Sequence, residues 1–149
     1  MLTLDEKDKQ ILEVLKEHAD YPTRKIAKLT LLPITTVHNR IRKLKEKKVI
    51  KRFTVELDHG KVEKGFLVYV LVQVSLPLLK QKKKSQYDIA KEIKKFYFVE
   101  RVDIITGGAD LIAIVRVKDV EEYDQVLLKK LQLVEGVEKT KSLVVIHGE

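Results

Sequence analysis

The sequence predicts an α+β protein in two parts: an N-terminal winged helix-turn-helix and a C-terminal βαββαβ domain of the ferredoxin-like type. Up to residue 48, apolar residues recur every three or four positions, which is typical of helices. From Val49 the period changes to two, which is typical of strands. The 149 residues suffice for two small domains. We expect them at 1–52 and 66–149, joined by a linker strand or hinge at 53–65.

Three short helices are expected in the N-terminal part. Asp5 is positioned to cap the first, with further acids in the first turn. Pro22 suits the first turn of the second helix. The bend at 30–33 leads into a third helix that ends near Lys48. Three helices with a tight second bend form the helix-turn-helix plan.

The third helix is expected to bury one side and expose the other. Val37, Ile41 and Leu44 fall within a narrow arc at about 100° per residue. The residues on the opposite side and its flanks are Thr35, Thr36, His38, Asn39, Arg42 and Lys43. A short helix with small polar and basic side chains fits the DNA major groove, which is about 12 Å wide. We therefore expect the chain to bind double-stranded DNA.

The positive charge is concentrated in one segment. Residues 23–52 contain eleven Lys or Arg and a single acid, Glu46, whereas residues 1–22 sum to −3 and residues 53–149 to +1. A local positive field is typical of a surface that meets phosphates. A solvated Lys-rich face would carry the same charge, but the helical spacing favours DNA.

The rest of the chain predicts strands and two helices. Residues 49–57 alternate like a strand, which we interpret as a wing or a linker strand. Residues 80–84 form a charged loop. Further strands are expected at 66–76, 99–105, 111–117 and 143–146, and helices at 87–96 and 120–131. The resulting order is βαββαβ, with both helices on one face of the sheet.

The predicted sheet is apolar on both faces. A face not covered by helices should be polar, yet residues 66–74 and 111–117 are apolar at nearly every position. No segment is left to cover the second face, so we expect a homodimer that buries it. We assign the interface to Val68, Val70, Val72 and Val74. The alternative is that the two-residue period is misleading and that one of the predicted segments is not a strand.

Several classes of protein are disfavoured. Without cysteine there is no disulfide or thiolate site, and the four histidines lack metal-ligand spacing, so we expect neither metal nor cofactor. The apolar run 66–76 is too short for a bilayer, and acids interrupt any N-terminal signal peptide, so we expect a cytoplasmic protein. No Ser/His/Asp set or phosphate loop appears, so we expect no enzyme activity.

The chain resembles the Lrp/AsnC family, also called feast/famine regulatory proteins, over nearly its whole length. The matching segments are Leu4-Asp5, Asp8, Ile11-Leu12, Ile26-Ala27, Thr35-Thr36-Val37, Arg40-Ile41-Arg42-Lys43-Leu44, Val49-Ile50, Thr106-Gly107, Asp110 and Glu135-Gly136-Val137. The resemblance implies transcription regulation by an operator-binding helix-turn-helix and a RAM/ACT-like domain that dimerises and senses ligands. Family dimers commonly assemble further, for example into octamers.

The resemblance also implies roles for individual residues. The recognition-helix positions fall on Thr35, Thr36, His38, Asn39, Arg42 and Lys43. Apart from the resemblance, the charge of Arg24 on the second helix suits contact with phosphates. Arg40 matches a basic position that serves either a phosphate or helix anchoring. An amino-acid effector is expected at the turn Thr106, Gly107, Gly108, Ala109 and Asp110, where Asp110 offers a carboxylate for an ammonium group.

The chain departs from the family pattern in two regions. Leu31 stands where the bend usually carries Gly, and Pro33 replaces the usual Ser cap, so Ile34 or Thr35 is expected to take the capping role. Gly108 and Ala109 replace an acid and an aromatic residue in the effector turn. Two alternatives remain open: a chromatin-like coat of low sequence preference, and an enzyme similar to sirohaem decarboxylases, which resemble the family in both domains.

Overall fold

The computed structural model describes residues 3–148. The chain divides into two compact units, one up to Glu56 and the other from Leu57. The first unit contains helices α1 (Glu6–Glu17), α2 (Thr23–Thr30) and α3 (Ile34–Glu46). The predicted helix-turn-helix is therefore confirmed.

Helix α1 begins with a reciprocal cap. The Asp5 side chain accepts a hydrogen bond from the Asp8 N–H at 2.9 Å, and the Asp8 carboxylate accepts one from the Asp5 N–H at 3.4 Å. Two N–H groups that the helix leaves unpaired thus gain acceptors. The expected N-cap at Asp5 is confirmed.

The three helices share one apolar core. Its buried members are Ile11, Leu15, Ile26, Ala27 and Val37. Burying each of the larger side chains contributes roughly 1.5–3 kcal/mol. Because α3 contributes Val37 to this core and also buries Leu44, its opposite side is turned to solvent.

The bend between α2 and α3 holds an unusual residue. Leu31 has φ 55° and is 90% exposed, in a left-handed conformation that favours Gly. Pro33 occupies the N-cap position of α3, and no side chain makes a capping hydrogen bond. The expectation that Ile34 or Thr35 would take the capping role is therefore wrong.

The predicted wing is also wrong. Residues 51–57 form no strand, and no strand occurs anywhere between residues 3 and 56. Val55 remains 75% exposed. Alternation of apolar and polar residues favours extended backbone, but a strand also requires a neighbouring strand with which to pair, and this unit supplies none.

The second unit is a four-stranded antiparallel sheet with helices. The strands are β1 (Phe66–Val74), β2 (Val99–Ile104), β3 (Leu111–Val117) and β4 (Val137–Val144), and the helices are α4 (Leu76–Lys82), α5 (Gln86–Lys94) and α6 (Val120–Lys129). The strand order is β2-β3-β1-β4. The predicted βαββαβ order is confirmed, with α4 as an addition.

Two local predictions in this unit are wrong. The expected charged loop at 80–84 is partly helix α4, which begins just before Pro77, a residue tolerated in the first helical turn. Strand β4 begins at Val137 rather than at Leu143. Residues 138–142 are polar and carry no apolar alternation, so their pairing with β1 depends on backbone hydrogen bonds.

The residues assigned to the dimer interface lie in the core instead. Val68, Val70 and Val72 are completely buried and Val74 is 4% exposed. They belong to one cluster with residues of α5 and α6, among them Ile89, Ile93, Tyr123 and Val126. That assignment is therefore wrong. When both faces of a strand are apolar, alternation does not reveal which face the helices cover.

The other face of the sheet is apolar and partly exposed. Leu71 and Tyr69 of β1 pair with Ile112 and Ile114 of β3. All four side chains are only partly buried, in contrast to their neighbours on the helix-covered face. We call these four residues the open-face patch.

Across the described part of the chain, no helix is long and apolar enough to cross a bilayer.

Candidate nucleic-acid interface and ligand cavity

The solvent side of α3 carries the side chains that the sequence singled out. Thr35, His38, Asn39, Arg42 and Lys43 are exposed, and Thr36 is half-buried. We call these six residues the α3 face. Val37 and Leu44 hold the other side in place. The side chains on this face can donate and accept the hydrogen bonds that base edges and phosphates offer.

Surface hollows flank α3 on both sides. One, of about 400 Å³, is lined by Thr3, Asp5, Asp8, Thr36, Asn39, Arg40, Lys43 and Leu44. The other, of about 380 Å³, is lined by Thr23, His38, Ile41, Arg42, Lys45 and Glu46. The α3 face is therefore a ridge between two depressions, a shape that can enter a groove.

Arg40 differs from its neighbours on α3. Its Nη1 donates to both carboxylate oxygens of Asp5, at 2.8 and 2.7 Å, and to Asp8 Oδ1 at 2.8 Å. Only 25% of the Arg40 side chain is exposed. Of the two roles considered for Arg40, the geometry supports helix anchoring.

The same contacts change the ionisation of these groups. The N–H of Asp8 and then the Arg40 guanidinium lower the pKa of Asp5 below its usual value. The carboxylates of Asp8 and Asp5 raise the pKa of Arg40. At neutral pH Asp5 and Arg40 are therefore both charged, which keeps the ion pair between them intact.

Further cations surround the α3 face. Arg24, Lys25 and Lys28 are exposed on α2, and the Lys25 ammonium lies 3.4 Å from the centre of the Tyr21 ring. Glu46, the single acid of segment 23–52, lies 3.9 Å from Arg42 across one helical turn. Both side chains of that pair are mostly exposed, so the pair leaves Arg42 free to rearrange.

The turn before β3 is closed by backbone and carboxylate contacts. The Ile105 N–H donates to the Asp110 carbonyl at 2.9 Å, and Gly107 adopts φ 120°, which favours Gly. The Asp110 carboxylate accepts from the Val74 N–H at 2.9 Å and from the Gln86 amide at 3.1 Å. Asp110 therefore supports the turn, and each oxygen of the carboxylate that the sequence offered for an ammonium group already accepts one hydrogen bond.

A small cavity adjoins this turn. It measures about 160 Å³ and is lined by Leu71, Gln73, Gly108, Ala109, Lys139, Thr140 and Lys141. Two of the five predicted effector residues, Gly108 and Ala109, line the cavity. The other three, Thr106, Gly107 and Asp110, do not. The sequence prediction missed Gln73, Lys139 and Lys141. Because Lys139 and Lys141 are two positions apart, the sequence indicates that they share one face of a strand. Only the pairing of that strand with β1 shows that they lie beside the turn.

A metal site has no support among residues 3–148, where no three His, Asp or Glu side chains are grouped to hold an ion. His38 is instead an exposed member of the α3 face. The geometry therefore offers two functional regions, each within one unit: the cationic ridge of α3, and the cavity beside the turn.

Known family models match segments in both units of the chain. The AsnC-type helix-turn-helix domain matches residues 4–45, and the Lrp/AsnC ligand binding domain matches residues 68–148. The chain is 34% identical to the HTH-type transcriptional regulator FL11 of Pyrococcus horikoshii, over 96% of this chain and 89% of the relative. It is 27% identical to LrpA of Pyrococcus abyssi, over 97% of each.

Solved structures share the fold. A transcriptional regulator of Neisseria meningitidis, NMB0573 in complex with L-Met, superposes with a TM-score of 0.88 at 21% identity, over 97% of this chain and 91% of that one. Escherichia coli AsnC superposes with a TM-score of 0.86 at 18% identity, over 99% and 95%. At these identities the likeness concerns the fold alone.

Proposed function

Because this chain belongs to the Lrp/AsnC family of transcriptional regulators, we propose that two copies bind one operator together, with one α3 helix in the major groove of each half-site. The α3 face is the main support for this proposal, because it exposes polar and basic side chains opposite a buried apolar side. Half-sites about one helical turn of DNA apart, roughly 34 Å, or a multiple of it, suit such a dimer.

Base reading and phosphate contact are expected from different residues. Asn39, Thr35 and Arg42 are exposed on the side of α3 opposite Val37 and Leu44, and they are the candidates for base edges. Each bidentate contact contributes about 1–3 kcal/mol of discrimination. The exposed cations of α2, including Arg24 and Lys28, are the candidates for phosphates, which set affinity and its salt dependence.

The second copy is proposed to pair through the open-face patch. Tyr69, Leu71, Ile112 and Ile114 provide the apolar centre. Charged residues at neighbouring positions of the same face form its rim: Arg101, Asp103, Arg116 and Lys139. An apolar centre with a polar rim is the usual arrangement of a protein interface.

A small effector is proposed to bind in the cavity beside the turn and to change operator affinity. An amino acid is the first class to test, because the N. meningitidis relative was solved with L-Met. The effector acts only if it binds the DNA-competent and DNA-incompetent states with different affinities. Operator affinity should therefore shift in its presence.

Selection of bound sequences from random DNA, followed by footprinting, tests the proposal. Protected palindromes are the expected result. Uniform coverage would instead identify a chromatin-like coat and remove the operator proposal. Asn39→Ala should relax the selected consensus, while Gln10→Ala, which removes an exposed amide from α1, should leave it unchanged.

A further inference from the structure

We propose that the cavity beside the turn takes a small carboxylate that lacks an ammonium group, such as a 2-oxo acid, in preference to the corresponding amino acid. This inference rests on the proposed function, since it names the ligand class of the effector site. It depends on the charges that line the cavity, on what the nearest carboxylates already bind, and on the size of the space.

The cavity has a cationic side. Lys139 and Lys141 lie two residues apart on β4 and pair with Gln73 and Leu71 of β1, so all four belong to the same sheet face. Within residues 3–148, neither lysine lies within salt-bridge distance of a carboxylate. Both lysines are exposed cations that border the cavity, so they favour an anionic ligand over a cationic one.

The carboxylates of the turn and of the same sheet face already make hydrogen bonds or ion pairs with other residues. Both oxygens of Asp110 accept hydrogen bonds, one from the Val74 N–H and the other from Gln86. Asp103, on the same sheet face, is paired with Arg101 at 2.8 Å. None of the residues lining the cavity is acidic. Among the residues of one chain that line the cavity, an ammonium group would find no carboxylate to offset the repulsion from the lysines.

The opposite wall is polar and open. The Gln73 amide donates to the Gly108 carbonyl over 3.4 Å, a long bond that a ligand oxygen can replace. A Cβ built on Gly108 would have no atom within 4 Å, so the turn leaves room for a ligand. The volume of about 160 Å³ limits the ligand to a small metabolite.

Isothermal titration calorimetry of the full chain, at constant ionic strength, tests this selectivity. The ligands are matched pairs that differ at the α-carbon: pyruvate and L-alanine, 2-oxoglutarate and L-glutamate, 4-methylthio-2-oxobutanoate and L-methionine. The oxo acid of at least one pair should bind more tightly than its amino acid, by about threefold to tenfold. If every amino acid that binds does so at least as tightly as its matched oxo acid, the inference is overturned.

Two variants connect the preference to the cavity. Lys141→Gln should weaken oxo-acid binding by about tenfold and remove the preference. The matched control is Lys129→Gln, an exposed lysine of α6 outside the cavity, which should bind as the wild type does. If Lys141→Gln retains wild-type affinity, the cavity is not the binding site.

The same titrations separate this inference from the function on which it rests. If no member of any pair binds, both the ligand class and the effector role fail, whereas operator binding, measured by fluorescence anisotropy, is unaffected. If amino acids bind and shift operator affinity, the effector role stands and only the ligand class is wrong.

Discussion

Arg40 of α3 donates from one nitrogen to both carboxylate oxygens of Asp5, 35 residues earlier in the chain, at 2.8 and 2.7 Å. Asp5 is also the N-cap of α1, so a single carboxylate both begins one helix and holds another. The contact fixes the rotation of α3 relative to α1. It also neutralises a cation that would otherwise be available to phosphates.

Arg40→Gln should lower operator affinity without changing its salt dependence. Removing one phosphate contact reduces the slope of log K against log salt by about 0.9. An arginine that only positions α3 should leave that slope unchanged, while the unfolding temperature falls. Anisotropy titrations at several salt concentrations measure the slope. Arg24→Gln is the comparison, and its slope should fall; a similar fall for Arg40→Gln would make Arg40 a phosphate contact.

Acidic pH should lower the stability of the first unit, because it protonates Asp5. The pKa of Asp5 is lowered in the folded chain from its usual value of 3.8. Its contribution to stability is therefore complete above about pH 3.8 and is lost as the pH falls through the lower, folded pKa. Asp5→Asn should flatten the decline of unfolding temperature between about pH 4 and 2, measured by calorimetry. Asp20→Asn, a carboxylate just beyond α1, should keep the wild-type decline.

Leu31→Gly should stabilise the protein. A left-handed conformation costs a residue with a Cβ about 1–2 kcal/mol, whereas the extra freedom of Gly when unfolded costs roughly 0.5–1 kcal/mol. Since Leu31 is 90% exposed, little packing is lost. The net gain, up to about 1.5 kcal/mol, is measurable by urea unfolding. The control is Leu29→Gly, in the last turn of α2, which should destabilise the protein. If Leu31→Gly also destabilised it, the packing of the Leu31 side chain would outweigh the cost of its left-handed conformation.

Tyr69→Asp and Val70→Asp should behave differently although they are neighbours in β1. Tyr69 lies in the open-face patch, so its replacement should split the proposed dimer and leave the far-ultraviolet circular dichroism unchanged. Val70 is completely buried beneath the helices, so a carboxylate there should prevent folding. Sedimentation velocity measures the first effect. A Tyr69→Asp variant that sediments as the wild-type assembly would remove the open-face patch from the interface.

Much of the architecture was predictable because amphipathic periods are local. The spacing of Val37 and Leu44 indicated which side of α3 is buried, and Asp5 was correctly predicted as a cap. Strand β4 was mostly missed, because an edge strand can pair through its backbone with polar side chains. The wing prediction failed for the opposite reason, since residues 51–57 have the alternation but no partner.

The sequence by itself determined the helix-turn-helix, the order of the sheet elements and the exposed residues of α3, because each depends on spacing within a short segment. It also indicated the family, because the matching motifs occur in order along nearly the whole chain. Only the tertiary structure decided which side of β1 the helices cover, what Arg40 and Asp110 bind, and that Lys139 and Lys141 adjoin the turn. These are contacts between residues far apart in the chain. Their partners are selected by packing and register, which no local pattern encodes.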